Sequence, residues 1–167
     1  MSRVVVRKMR EGDLPRAMAI LRRWNMAPVA ASRRIPRPER TGIEIANSFV
    51  AILGSRLVGV ASYIVRGPRE AETASLAVAP GMRGMGIGKR LHRARLAELK
   101  RRGIERLRTE ADRPATIRWY QQFGHRVVGT KRKRHAFGLR SVDRWTVLEL
   151  DLGTPQAIDR HAGRKGA

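Results

Sequence analysis

A chain of 167 residues without a cysteine is sized for one domain with its own core, and it excludes disulfides, thiolate metal sites and a cysteine nucleophile. Lysine and arginine number 36 against 14 acidic residues, a net charge of +22 that draws anions such as nucleic acid or acidic substrates to the surface. No run approaches the ~18 apolar residues of a membrane span and no apolar signal region opens the chain, so no membrane partner and a cytoplasmic location are expected.

In chain order, the β-branched run Val4 to Val6 predicts a first strand. Asp13 reads as the N-cap of a helix from Leu14 to about Trp24, with Pro15 tolerated in its first turn. Leu14, Met18 and Leu21 fall on one face of that helix, with Ala17 and Ile20 beside them, and packing is the role of such a stripe. Between Ala27 and Thr41, Pro28, Pro36 and Pro38 interrupt a basic segment, which predicts a loop with a broken helix. Ser48 to Leu53 and Leu57 to Val65 read as strands joined across Gly54-Ser55-Arg56. A turn at Arg66-Gly67-Pro68-Arg69 leads into a strand from Glu70 to Val78, completing an antiparallel meander. Alternation along that strand puts Glu72, Ala74, Leu76 and Val78 on one face and Thr73, Ser75 and Ala77 on the other.

The clearest helix runs from Ile87 to about Arg102, with Ile87, Leu91, Ala94 and Leu99 inward and Gly103 as its stop. Ile104 to Glu110 is the next strand, so strand, helix and strand form a crossover with parallel partners. A short helix begins at Pro114 or Ala115 and ends near Phe123-Gly124. Strands at Arg126 to Thr130 and Trp145 to Leu152 follow, with the basic run Lys131 to His135 between them. The predicted fold class is α+β in three layers, a mixed and mostly antiparallel central sheet of about seven strands flanked by helices. One domain spans residues 1–153, and 154–167 reads as a basic, flexible tail. His92, His125, His135 and His161 are scattered without metal-ligand spacing, so no metal is expected.

Arg83-Gly84-Met85-Gly86-Ile87-Gly88-Lys89 lies between the strand ending at Val78 and the clearest helix. Alternating glycines there leave bare N–H groups at a helix N-terminus, where the helix dipole also favours a phosphate. A P-loop would need glycine at position 83 and Ser or Thr at 90, and both are arginine. A dinucleotide fingerprint would need glycine or alanine at 89, where Lys89 stands. What fits is Arg83-x-x-Gly86-x-Gly88 after Leu76-Ala77-Val78-Ala79-Pro80, which resembles the acyl-CoA pyrophosphate loop of the GNAT superfamily, the Gcn5-related N-acetyltransferases. Ala115-Thr116-Ile117-Arg118-Trp119-Tyr120-Gln121-Gln122-Phe123-Gly124 resembles a second signature of that family, Ala-x-x-x-Tyr-x-x-x-Gly-Phe. The match has alanine one residue early, and His125 stands in place of the final Phe.

The resemblance covers roughly residues 3–152 and implies a GNAT-like fold and acetyl-CoA as co-substrate. It implies pyrophosphate contacts from the backbone of Arg83 through Lys89, Met85 and Ile87 included, with Gly84, Gly86 and Gly88 allowing close approach. It implies a pantetheine arm lying along Leu76, Ala77 and Val78. Tyr120 is then the expected general acid for the departing thiolate, and Glu72 the expected general base, with Glu70, Glu110 and His135 as alternatives. The expected partner is an amine-bearing acceptor, with the charge favouring an anionic one, and the protein is a monomer or homodimer. Two other readings stand beside the acetyltransferase: a non-catalytic acyl-CoA sensor, and an RNA-directed protein such as an aminoacyl-tRNA acetyltransferase. An arginine-rich composition alone would also produce the charge.

Overall fold

One mixed sheet of seven strands organises the molecule, in the order β1-β2-β3-β4-β5-β7-β6. The computed structural model describes residues 3–36, 42–135 and 137–153. The expected C-terminal tail, His161 and the end of the proline-rich segment lie outside the described residues. The first four strands, β1 (Val4–Lys8), β2 (Ser48–Leu53), β3 (Arg56–Gly67) and β4 (Glu70–Val78), form the antiparallel meander. Helix α2 (Ile87–Arg101) then crosses over to β5 (Arg106–Ala111), the single parallel partner, and α3 (Pro114–Gln121) leads into the hairpin of β6 (Arg126–Arg132) and β7 (Arg144–Asp151). β7 lies between β5 and β6, antiparallel to both. The expected fold class is the observed one.

Alternation along β2 distributes the core between two layers. Phe49 and Ala51 pack with Ile87, Leu91 and Leu99 of α2, whereas Val50 packs with Ala17, Ile20 and Leu21 of α1 (Leu14–Arg23). Where α2 crosses β3, closeness is set by Gly59: a Cβ there would lie 2.8 Å from Leu91 Cδ1. Gly103, at φ +76°, ends α2 as its position predicts, with Ile104 N–H returning to Leu99 O at 3.0 Å.

Three expectations require correction. Asp13 does not cap α1 through its side chain; it closes a 3-10 turn (Glu11–Asp13) with helical backbone angles. Its buried carboxylate accepts Arg10 N–H at 2.8 Å and the Arg7 guanidinium at 2.6 and 3.0 Å. The Arg7 hydrogen bond, outweighing burial, holds the Asp13 carboxyl down at about 2.

The alternation predicted for β4 is also reset. Ser62 faces Ser75 and Tyr63 faces Thr73, so Ala74 is an extra residue, a β-bulge, and Glu72 no longer shares a face with Leu76. Ala71, Leu76 and Val78 accordingly pack on the α2 side, while Ala77 packs with α1.

The basic run Lys131 to His135 is not a separate loop, because Lys131 and Arg132 belong to β6. Lys131 pairs with Glu110 at 2.9 Å, and Lys133, whose side chain is tucked inward, pairs with Asp112 at 2.8 Å and donates to the carbonyls of Phe137 and Leu139. These lysines fasten the hairpin to the end of β5.

Candidate acyl-transfer site

β4 and β5 are in register only over Glu70–Glu72 and Arg106–Arg108. Beyond that they diverge, and the widening gap is a cavity of about 560 Å³. One wall is the free side of β4. Ala79 N–H turns towards β3, bonding Val58 O at 2.8 Å, so alternation turns the main chains of Val78 and Leu76 into the gap. Trp24 confirms the direction by donating its indole N–H to Val78 O at 2.9 Å. The opposite wall runs from Glu110 through Arg113, and α3 contributes Trp119 and Tyr120.

The glycine loop closes one end. Gly84 and Gly86 have φ of +79° and +73°, and Gly86 is the N-cap of α2. A side chain at either position would be strained, yet a Cβ there meets nothing within 4 Å, so the glycines serve the backbone twist and leave open space beside it. The first turn of α2 carries no acidic residue. Arg90 is committed to Val4 O at 2.6 Å. Arg83 lies over the Trp24 ring at 5.3 Å, with Arg113 over the same ring at 5.9 Å.

Ten sequence-predicted residues therefore come together around one cavity: Leu76, Ala77, Val78, Arg83, Gly84, Gly86, Ile87, Gly88, Lys89 and Tyr120. Two lie off it. Met85 is 55% exposed and does not line the cavity. Glu72 opens instead on a smaller adjoining pocket, with its carboxylate 2.9 Å from Arg66 Nε. Thr73, Glu110 and Trp145 line both cavities. Of the carboxylates raised from sequence as bases, Glu110 is the one that lines the cleft.

Behind Tyr120 lies a buried polar cluster that sequence reasoning missed. Arg95, fully buried on α2, donates through Nη2 to Tyr120 Oη at 3.3 Å and to His92 Nδ1 at 2.9 Å. Its Nη1 donates to the carbonyls of Ser62 (3.0 Å) and Ser75 (2.9 Å), beside the bulge. A guanidinium only donates, so His92 Nδ1 accepts, and the proton of neutral His92 sits on Nε2, 3.2 Å from His125 Nε2. Burial first, then the Arg95 charge, pushes His92 down to about 2 and His125 down to about 4, so both imidazoles are neutral near pH 7. A signal for Arg95 existed: Ile87, Leu91, Arg95 and Leu99 recur every four residues along the inner face of α2. For the two histidines, 33 residues apart, sequence carried no signal. Among the described residues no group of His, Asp or Glu is arranged to hold a metal, and no helix is long and apolar enough to cross a membrane.

A splayed central sheet with a glycine-rich helix entry at one end of the gap is the architecture of acyl-CoA acyltransferases. The chain belongs to the acetyltransferase (GNAT) family, whose model matches residues 15–125. It is 31% identical over 132 residues to the N-alpha-acetyltransferase RimI of Mycobacterium tuberculosis, covering 77% of each chain. The fold is similar to that of the ribosomal-protein-S18-alanine N-acetyltransferase from Escherichia coli, with a TM-score of 0.71 at 20% identity over 93% of this chain and 98% of that one. It is also similar to yncA, a putative acetyltransferase from Salmonella typhimurium solved with its cofactor acetyl-CoA, with a TM-score of 0.69 at 17% identity over 95% and 99% of the two chains.

Proposed function

We propose that this protein transfers an acetyl group from acetyl-CoA directly to a primary amine, with the α-amine of a peptide N-terminus as the favoured acceptor class. The observation carrying the reading is one cavity lined by the glycine loop, the free side of β4 and Tyr120. The residues present fit the donor. Unblocked amides at the start of α2, with Lys89 and Arg83 nearby, suit a pyrophosphate. The Leu76 and Val78 main chains suit an amide-bearing arm lying as an added strand, and the Leu76 N–H suits the thioester oxygen.

Tyr120 gives its proton to the departing sulfur. Glu110, in the cleft, takes a proton from the incoming amine, and Glu72 is the second carboxylate, in the smaller pocket that shares Thr73 with the cleft. The α-amine preference draws on the relative named as an N-alpha-acetyltransferase. The net charge of +22 favours acceptors that carry anionic groups beside the amine.

The test is release of free thiol from acetyl-CoA across peptides with free N-termini, lysine peptides and amino acids. Turnover on α-amine peptides is expected; tight CoA binding with turnover on none would leave a sensor. Tyr120→Phe should lower kcat by about 10²–10⁴-fold with little change in KM for acetyl-CoA. Glu110→Gln should cost more than Glu72→Gln, and the reverse order would move the base to Glu72.

A further inference from the structure

Among the described residues, Arg95 is the only fully buried Lys or Arg, and it interrupts the apolar stripe Ile87, Leu91, Leu99 of α2. Its four hydrogen bonds all go to neutral acceptors, and no carboxylate pairs with it among the described residues. A leucine or methionine would complete the stripe without desolvating a charge, since a buried cation lacking a counter-charge is costly. Packing alone does not account for an arginine here.

We propose that Arg95 is the positioning residue for the proton donor Tyr120, an inference that rests on the acid role of Tyr120 given above. Two consequences follow from the 3.3 Å contact. Because the guanidinium can only donate, it occupies a lone pair of Tyr120 Oη and leaves the hydroxyl proton free for an acceptor in the cleft that Tyr120 lines. As the O–H bond of Tyr120 breaks and the S–H bond forms, negative charge develops on Oη beside a cation held where water is excluded. That attraction is weak while the phenol is neutral and strong once the proton has left, so it favours the transition state over the ground state. The phenolate then recovers a proton from solvent after the thiol departs.

The surroundings support this arrangement. His92 and His125 are neutral, so no second cation competes for Oη, and His92 Nδ1 holds Nη2 in place by accepting from it. Nη1 is anchored on the Ser62 and Ser75 carbonyls. The bulge that reset the faces of β4 thereby sets the guanidinium, and through it Tyr120, in register with the strand that walls the cleft.

A double-mutant cycle tests the assignment, read as thiol release from acetyl-CoA with an alanine-initiated peptide, or as acetyl-CoA hydrolysis if that peptide is not taken. Both readouts depend on the leaving sulfur. Arg95→Met should lower kcat about 10–100-fold while KM for acetyl-CoA moves less than about threefold. In the Tyr120→Phe background the same substitution should cost less than about twofold, because the hydroxyl it serves is gone. Equal loss in both backgrounds would make Arg95 a structural residue and overturn the proposal. If Tyr120→Phe itself leaves kcat unchanged, the acid role of Tyr120 fails first, a separate result. Should Arg95→Met not fold, Arg95→Lys carries the same comparison: it keeps the charge but not the forked geometry, and its loss should again vanish in the Tyr120→Phe background.

Discussion

His92 and His125 make the protein sensitive to mild acid. In the unfolded chain each imidazole takes a proton near its reference value of ~6.5, whereas burial holds the folded groups at about 2 and about 4. Below pH 6.5 the unfolded state therefore binds protons that the folded state does not, and stability falls as pH falls, by up to ~1.4 kcal/mol per pH unit for each group. Urea midpoints measured from pH 7 to pH 5 should decline, and His125→Asn should flatten the decline; a flat profile in the parent protein would show that the pair is not buried neutral. Asp13 acts in a lower window. Its folded value of about 2 leaves its contribution intact above the unfolded ~3.8, to be lost only as pH drops towards 2. Neither effect was readable from sequence, since a residue's charge state depends on what packs around it.

Among the elements, α2 joins the site to the core. Its N-terminus forms the glycine loop, its middle carries Arg95, and its apolar positions rest on β3 where Gly59 brings the two close. Gly59→Ala would place a methyl group 2.8 Å from Leu91 Cδ1 and 3.1 Å from Ile87 Cγ2, both buried, so a loss of about 1–3 kcal/mol is expected in chemical denaturation. Acetyl-CoA affinity should fall with it to the extent that α2 itself, and not the Leu91 and Ile87 side chains alone, shifts to relieve the clash. The helix, its stop and most of its inner face were legible in the 3.6-residue period and in Gly103. What misled was chemical type: the period places position 95 inward, but an arginine there reads as surface, whereas Ala94, expected inward, does pack against the core. On β4 the strand itself was legible and its faces were not, because a one-residue bulge is written in the pairing with β3 and not in the composition of either strand.

For the whole molecule, the glycine loop and the Tyr120 motif were readable from short stretches whose geometry is local, and both line the one cleft. The carboxylates were less legible, because which of them meets the cleft depends on how sheet and hairpin come together: Glu72 opens on the adjoining pocket, and Glu110, expected as an alternative to it, lines the cleft. Some of the basic side chains, though none of the +22 surplus, are paired with carboxylates on neighbouring strands. Arg66 pairs with Glu72, Arg106 with Glu70 and Lys131 with Glu110, so much of the charge on β3 to β6 stitches strands together instead of facing a partner.

The parting of β4 from β5 after Glu72 gives the middle of the sheet a boundary that is ordinarily found only at its rim. The amides of Leu76 and Val78 lack a partner strand on that side, although they lie on the fourth of seven strands. They should exchange with deuterium far faster than those of Val58 and Val60 beside them, and slow sharply when acetyl-CoA is added. An interior strand that ripples with solvent until its missing neighbour arrives would show, amide by amide, that this sheet is completed by its substrate.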